Sequence, residues 1–203
     1  MALLAAAACR IVPVPAPSPV DPTYAAVFDT WTQNATLSTS LFDTNGYAFA
    51  TYLAWPFRKA RAAELARERE LPAPDAAKLE GAEFAARRQF HEVVFALNVG
   101  EPDANDLDSA TSQWRVALSG GGEQAAPASV ERLSSDSQLR ALFPYVRPFY
   151  VAYLLRFPLT LPGGAPLIPD GANQAVLLIA GPLGRAELIW PVAALGGDAL
   201  PKP

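Results

Sequence analysis

Apolar residues in this chain recur mostly at every second position. In FYVAYLLRF, Phe149, Val151, Tyr153, Leu155 and Phe157 share one face, as do Val93, Phe95 and Leu97 in HEVVFAL and Trp114, Val116 and Leu118 in QWRVAL. Such alternation points one side of a strand into a core and the other toward solvent or a covering element. A weaker strand is expected from Ser129 to Leu133.

Two hairpins can be placed by asking whether facing strands agree. QAVLLIA and RAELIW flank Gly181-Pro182-Leu183-Gly184, where proline presets a tight turn and the glycines tolerate its ends. That register sets Ala175 opposite Trp190, Leu177 opposite Leu188 and Ile179 opposite Ala186. Both faces of the first of these strands are apolar, so a second element is expected over its outer side. In NATLSTSLFDTNGYAFATYLA, a two-residue turn on Asn45-Gly46 mixes apolar and polar faces. A three-residue loop of Thr44, Asn45 and Gly46, with Gly46 left-handed, instead opposes Leu41 to Phe49 and Leu37 to Leu53. A one-residue slip exchanges the faces, and the three-residue loop is the expectation.

Between the first hairpin and HEVVFAL the period changes. Trp55-Pro56 opens PFRKARAAELARERE, with proline at a first helical position and strong helix formers behind it. A second helix is expected after Pro74, capped by Asp75 and running through DAAKLEGAEFAARR. Arg61, Glu64, Arg67 and Glu70 recur at spacings of three, suited to exposed ion pairs worth ~0.2–0.5 kcal/mol each. A short helix is expected at SDSQLRALF. The expected fold is mainly β: an antiparallel β-sandwich of about eight strands with a helical pair, residues 55–88, inserted after the first hairpin and packed over one edge or end. It resembles immunoglobulin-like domains in architecture only, since the paired cysteines of antibody domains are absent.

Composition narrows the function classes. The chain has 203 residues, 51% hydrophobic and 10% aromatic, enough for one core of ordinary size over residues 23–203. A net charge of −4 argues against nucleic acid as a partner, because that contact needs clustered Lys and Arg to displace counterions. One cysteine allows neither an internal disulfide nor a multi-cysteine zinc site, so no metal or other cofactor is expected.

The N-terminus carries the clearest location signal. Residues 1–9, MALLAAAAC, are an apolar small-residue run ending at Cys9, and residues 10–22 carry proline at 13, 15, 17, 19 and 22, which favours an extended spacer. Ala6-Ala7-Ala8-Cys9 resembles a bacterial lipobox, departing from it in alanine at Ala6 and in lacking a preceding Lys or Arg. The resemblance implies lipidation of Cys9 and membrane attachment. Arg10, standing where an Asp would retain the protein, implies outer-membrane delivery facing the periplasm. With the spacer, strands and helical insertion, the whole looks like a group of uncharacterised bacterial lipoproteins that supplies no active site to carry over. The alternative is a cytoplasmic chain with a misread start.

Candidate chemistry is sparse. Nucleophilic catalysis needs a base, and His91 is the only histidine. It shares a strand face with Val93 and Phe95 and is expected at a sheet end with its nitrogens hydrogen-bonded. EPDANDLD offers Glu101, Asp103, Asn105, Asp106 and Asp108, but a calcium loop would need glycine where Asp108 stands and glutamate where Trp114 stands. Capping and turning is the expected role. Gly120-Gly121-Gly122 lacks the residues of a phosphate loop and reads as a strand connection.

The expected function is therefore a non-enzymatic structural or protein-interaction module of the bacterial cell envelope. Arg58, Lys59 and Arg61 on the first inserted helix are the candidate partner surface, expected to be exposed and dispensable for folding, against an envelope protein or polymer. The alternative is a ligand-binding or carboxylate-dependent hydrolytic domain acting on an envelope glycan or lipid. Its support is the aromatic content, notably Trp31, Trp55, Trp114 and Tyr145, and it expects a deep cleft lined by one of those tryptophans and two carboxylates.

Overall fold

A computed structural model describes residues 21–40 and 43–192; residues 1–9 and nearly all of the expected spacer lie outside them. The chain runs α1 (Pro22–Trp31), β1 (Thr32–Leu37), β2 (Gly46–Tyr52), α2 (Trp55–Glu68), α3 (Ala73–Ala86), β3 (His91–Val99), β4 (Arg115–Ser119), β5 (Gln124–Ala125), β6 (Ser129–Leu133), α4 (Ser137–Leu142), β7 (Val151–Phe157), β8 (Ala175–Gly181) and β9 (Gly184–Trp190). A 3-10 turn at Pro102–Ala104 follows β3. Two antiparallel sheets form, in the orders β1-β2-β3-β7-β6 and β5-β4-β8-β9, with α2 and α3 inserted between β2 and β3. This is the expected two-sheet β fold with its helical insertion.

The core follows from period two. Ala48, Ala50 and Tyr52 of β2, Val93, Phe95 and Leu97 of β3, and Tyr153, Leu155 and Phe157 of β7 lie across the first sheet on one face. All are buried, as are Ala175, Leu177 and Ile179 of β8 and Ala186, Leu188 and Trp190 of β9. Tyr52 and Trp190 meet edge to face across the sheets, ring centres 5.5 Å apart. The sheets also adjoin at one corner, where Ser38 bridges Arg185 and the Trp190 indole N–H donates to the Trp31 carbonyl at 2.8 Å. Gly184 makes that corner possible: its φ is +136°, and a Cβ there would lie 2.6 Å from the Ser38 nitrogen.

The closing hairpin has the expected register, with Ala175 opposite Trp190, Leu177 opposite Leu188 and Ile179 opposite Ala186. The first hairpin does not. β1 pairs earlier, with Leu37 opposite Gly46 and Thr32 opposite Thr51, and Leu41 lies outside the described residues. The loop is set by Asp43, whose carboxylate accepts from the backbone nitrogens of Thr39 and Ser40 and from the Thr39 hydroxyl. Gly46 opens β2 rather than turning the chain; a Cβ there would stand 2.4 Å from the Asn98 carbonyl of β3. Glycine is required by a close approach, not by a left-handed backbone.

Among the helices, α2 starts at Trp55-Pro56 as expected, and α4 is capped by Asp136, which accepts from the Leu139 nitrogen at 2.7 Å. Asp75 is not the cap of α3. That helix begins at Ala73 without a side-chain cap, and Asp75 sits in its first turn pairing with Lys78. Of the expected i,i+3 series Glu64–Arg67 forms; Arg61 turns to Glu83, and Glu70 lies past the helix. Asp21 and Pro22, assigned to the spacer, cap and open α1. α1 and α2 pack together over the outer face of the first sheet, where Tyr24, Phe28, Phe57, Phe143 and Tyr145 form a continuous aromatic cluster. The insertion meets the first sheet at one end, where Arg58 of α2 donates to the Leu53 carbonyl just past β2 and to Glu92 at the start of β3.

Candidate functional site

The expected partner surface on α2 is broken up. Arg58 is 1% exposed: its Nε donates to the Leu53 carbonyl at 2.8 Å, Nη1 to Glu83 at 3.0 Å and Nη2 to Glu92 at 2.5 Å. Arg61 also binds Glu83, and Glu92 and Glu131 both bind Arg156. The alternating chain Arg61–Glu83–Arg58–Glu92–Arg156–Glu131 stitches α2 and α3 to β3, β7 and β6. Arg58 is therefore a structural cation, and of the three residues only Lys59 is exposed.

His91 sits where expected at the start of β3, 1% exposed, with Nδ1 2.6 Å from the Tyr52 hydroxyl. Burial pushes its pKa down to about 4, so the ring is neutral at pH 7. The acidic loop serves structure. Asp106 accepts from the Ser112 hydroxyl, Asp108 pairs with Arg132, and the Asn105 carbonyl accepts from Arg132 and the Tyr153 hydroxyl.

A depression of about 280 Å³ joins Glu101, Asp103 and Asp106 to Trp114. Its residue types match those expected of a hydrolytic cleft, but Trp114 offers no stacking face. The indole is 8% exposed, its N–H donates to the Ala104 carbonyl at 2.6 Å, and Gly181 packs against its ring closely enough that a Cβ there would come within 2.5 Å.

The larger cavity, about 450 Å³, lies on the outer face of the first sheet. α1 contributes Phe28 and Asp29, β1 contributes Thr32 and Asn34, β2 contributes Phe49, and the segment before β7 contributes Pro144, Tyr145, Arg147 and Tyr150. These residues come together because β1 and β2 put Thr32, Asn34 and Phe49 on the face opposite the core, while α1 lies alongside. The floor is rigid. Tyr145 and Phe49 stack at 5.3 Å with ring planes 9° apart, Phe28 stacks on Tyr145 at 6.0 Å, and Tyr150 meets Phe49 edge-on at 5.8 Å. A hydrogen-bond relay holds Tyr145 in place: its hydroxyl bonds Thr51 at 2.9 Å and the Val94 carbonyl at 3.1 Å, and Thr51 bonds Thr32 at 2.8 Å. Burial raises the pKa values of both Tyr145 and Tyr150. A concave, aromatic, pre-formed site with a few polar groups is the ordinary form of a small-ligand pocket.

Beside the cleft the backbone is strained. Phe149 has φ +75°, a left-handed value a bulky side chain rarely takes, and it is 87% exposed rather than lying on the expected strand face. Asn98 holds it by donating to its carbonyl at 2.9 Å, and the Tyr150 nitrogen closes the turn onto the Arg147 carbonyl. Relief of ~1–2 kcal/mol of left-handed strain outweighs or balances glycine's unfolded-state entropy of ~0.4–1 kcal/mol. Phe149→Gly will accordingly leave the melting temperature unchanged or raise it, whereas a clear fall would show that the phenylalanine ring holds the turn.

The described part of the chain is thus a two-sheet antiparallel β protein with helices on one outer face and an aromatic cleft between helix and sheet. No described helix is long and apolar enough to cross a membrane. Comparison with family models, curated proteins and solved structures gives no match. Of the cleft residues the sequence had singled out only Tyr145; the missed signal was PYVRPFY, two prolines bracketing a tyrosine and an arginine, with two more aromatic residues just before a strand. Cys9 lies outside the described residues.

Proposed function

We propose that this protein is a non-enzymatic recognition module of the bacterial cell envelope, tethered by a lipid on Cys9, with the outer-face aromatic cleft as its recognition surface. The observation that carries the reading is the cleft itself: an open cavity of about 450 Å³ whose aromatic floor is fixed before any ligand arrives. Pre-formed sites bind without the cost of ordering their walls. The sealed position of His91, the only histidine, supports recognition over nucleophilic catalysis, since a base hydrogen-bonded in the core is out of a substrate's reach. The lipobox-like start and proline-rich stretch support the tether.

Metabolic labelling with a fatty-acid analogue, comparing the native chain with Cys9→Ala and followed by membrane fractionation, tests the tether. Label and membrane recovery on the native chain alone are expected. Equal absence from both chains would move the protein out of the envelope.

A further inference from the structure

The cleft is electrically two-sided. Asp29 and Arg147 both line it, both are exposed, and they form no ion pair with each other. Among the described residues the Asp29 carboxylate has no hydrogen-bond or ion-pair partner; Arg147 uses only its Nε, at 3.4 Å on the Pro144 carbonyl, leaving both Nη groups free. The Asn34 side-chain amide, on the same face as Thr32, also has no partner among them. The aromatic rings beside these groups pack on one another, and the Tyr145 hydroxyl is hydrogen-bonded to Thr51 and the Val94 carbonyl.

We propose that the cleft binds a zwitterionic ligand of dipeptide size, its ammonium met by Asp29, its carboxylate by Arg147 and its apolar side chain by Phe28, Phe49 and Tyr150. This deepens the reading of the cleft as the recognition surface and rests on it. Charge complementarity selects the class. A ligand with one charge strips water from both protein groups and repays only one of them, whereas a zwitterion repays both. A guanidinium with both Nη groups free can grip a carboxylate through two parallel hydrogen bonds, adding orientation to attraction. Asn34 can serve a peptide amide, giving and taking one hydrogen bond. The volume fits: ligand pockets run from about 300 to 1,000 Å³, and this one lies at the low end, suited to a dipeptide rather than a long polymer.

The test is calorimetric titration of the full chain with alanyl-phenylalanine, with its N-acetyl and C-amide forms, and with the neutral disaccharide diacetylchitobiose. The free dipeptide is expected to bind. Each capped form should bind at least tenfold more weakly, and raised salt should weaken the free dipeptide as well. Asp29→Asn and Arg147→Gln, both at exposed positions, should each weaken it at least tenfold with unchanged melting temperature. The pattern is specific: Asp29→Asn should no longer distinguish the free from the acetylated dipeptide, and Arg147→Gln should no longer distinguish the free from the amidated one. Equal affinity for free and capped dipeptides overturns the assignment. Binding of the disaccharide alone overturns the ligand class and leaves the recognition surface standing, and binding of none of the probes overturns the assignment outright. The tether is read separately, by the Cys9 labelling.

Discussion

Arg58→Met lowers the unfolding free energy by about 3–5 kcal/mol, the cost of removing one partner from a buried ion pair. The magnitude follows from what stays behind. The guanidinium is the common donor to Glu83, Glu92 and the Leu53 carbonyl, so methionine takes that donor from the carbonyl and leaves each carboxylate with one arginine instead of two, Arg61 for Glu83 and Arg156 for Glu92. Lysine does little better, because a point charge on a flexible stem cannot reach three acceptors arranged around a planar fork. Urea unfolding at pH 7 measures the effect. Lys59→Glu, one residue away but exposed, should stay within about 0.5 kcal/mol of the native protein. The double variant Arg58→Met with Glu92→Gln should lose less than the two single losses added together, since the second change removes a carboxylate that the first had left with Arg156 alone. A loss below 1 kcal/mol for Arg58→Met would mean that water reaches this network.

The second large effect is a pH dependence carried by His91. Its folded pKa of about 4 lies below the usual value of 6.5, so the unfolded chain binds the proton more readily. Stability from this residue is complete above pH 6.5, falls as pH drops toward 4 and levels off below. The gap between 6.5 and about 4, at ~1.4 kcal/mol for each pH unit, amounts to about 3.5 kcal/mol. Urea midpoints between pH 7 and 4, compared with those of His91→Gln, isolate it; parallel curves for the two proteins would contradict it. Asp43 does not confuse the reading. Hydrogen bonds from Thr39 and Ser40 hold its pKa down to about 2, so its contribution is lost only from pH 3.8 downward.

The sequence was most readable where partners are near in the chain. The β8–β9 register followed from alternation on both sides of a four-residue turn segment, because only one pairing keeps Ala175, Leu177 and Ile179 against Trp190, Leu188 and Ala186. The β1–β2 register did not, because Asn45-Gly46 advertises a tight turn. The need for glycine at position 46 comes instead from the Asn98 carbonyl on β3, more than fifty residues away. Arg58 misled for the same reason: on α2 it looks like one of several surface charges, and its carboxylate partners lie 25 and 34 residues onward. α1 was legible and overlooked. Tyr24, Val27, Phe28 and Trp31 fall at i, i+3, i+4 and i+7, an apolar stripe hidden only by the prolines before it. The cleft drew one recognised aromatic, Tyr145, from three separate stretches of chain, and no local pattern marks where such stretches meet.

α1 is the first described element and forms one wall of the cleft. It is held by the Asp21 cap, the Tyr24 hydroxyl on the Leu142 carbonyl at 2.7 Å, packing against α2, β1 and β2, and the buried Trp31, whose carbonyl accepts from the Trp190 indole. Because α1 supplies Phe28 and Asp29 to the cleft while its last residue, Trp31, accepts from Trp190 of the second sheet, displacing this one helix would open the cleft and the corner between the sheets together.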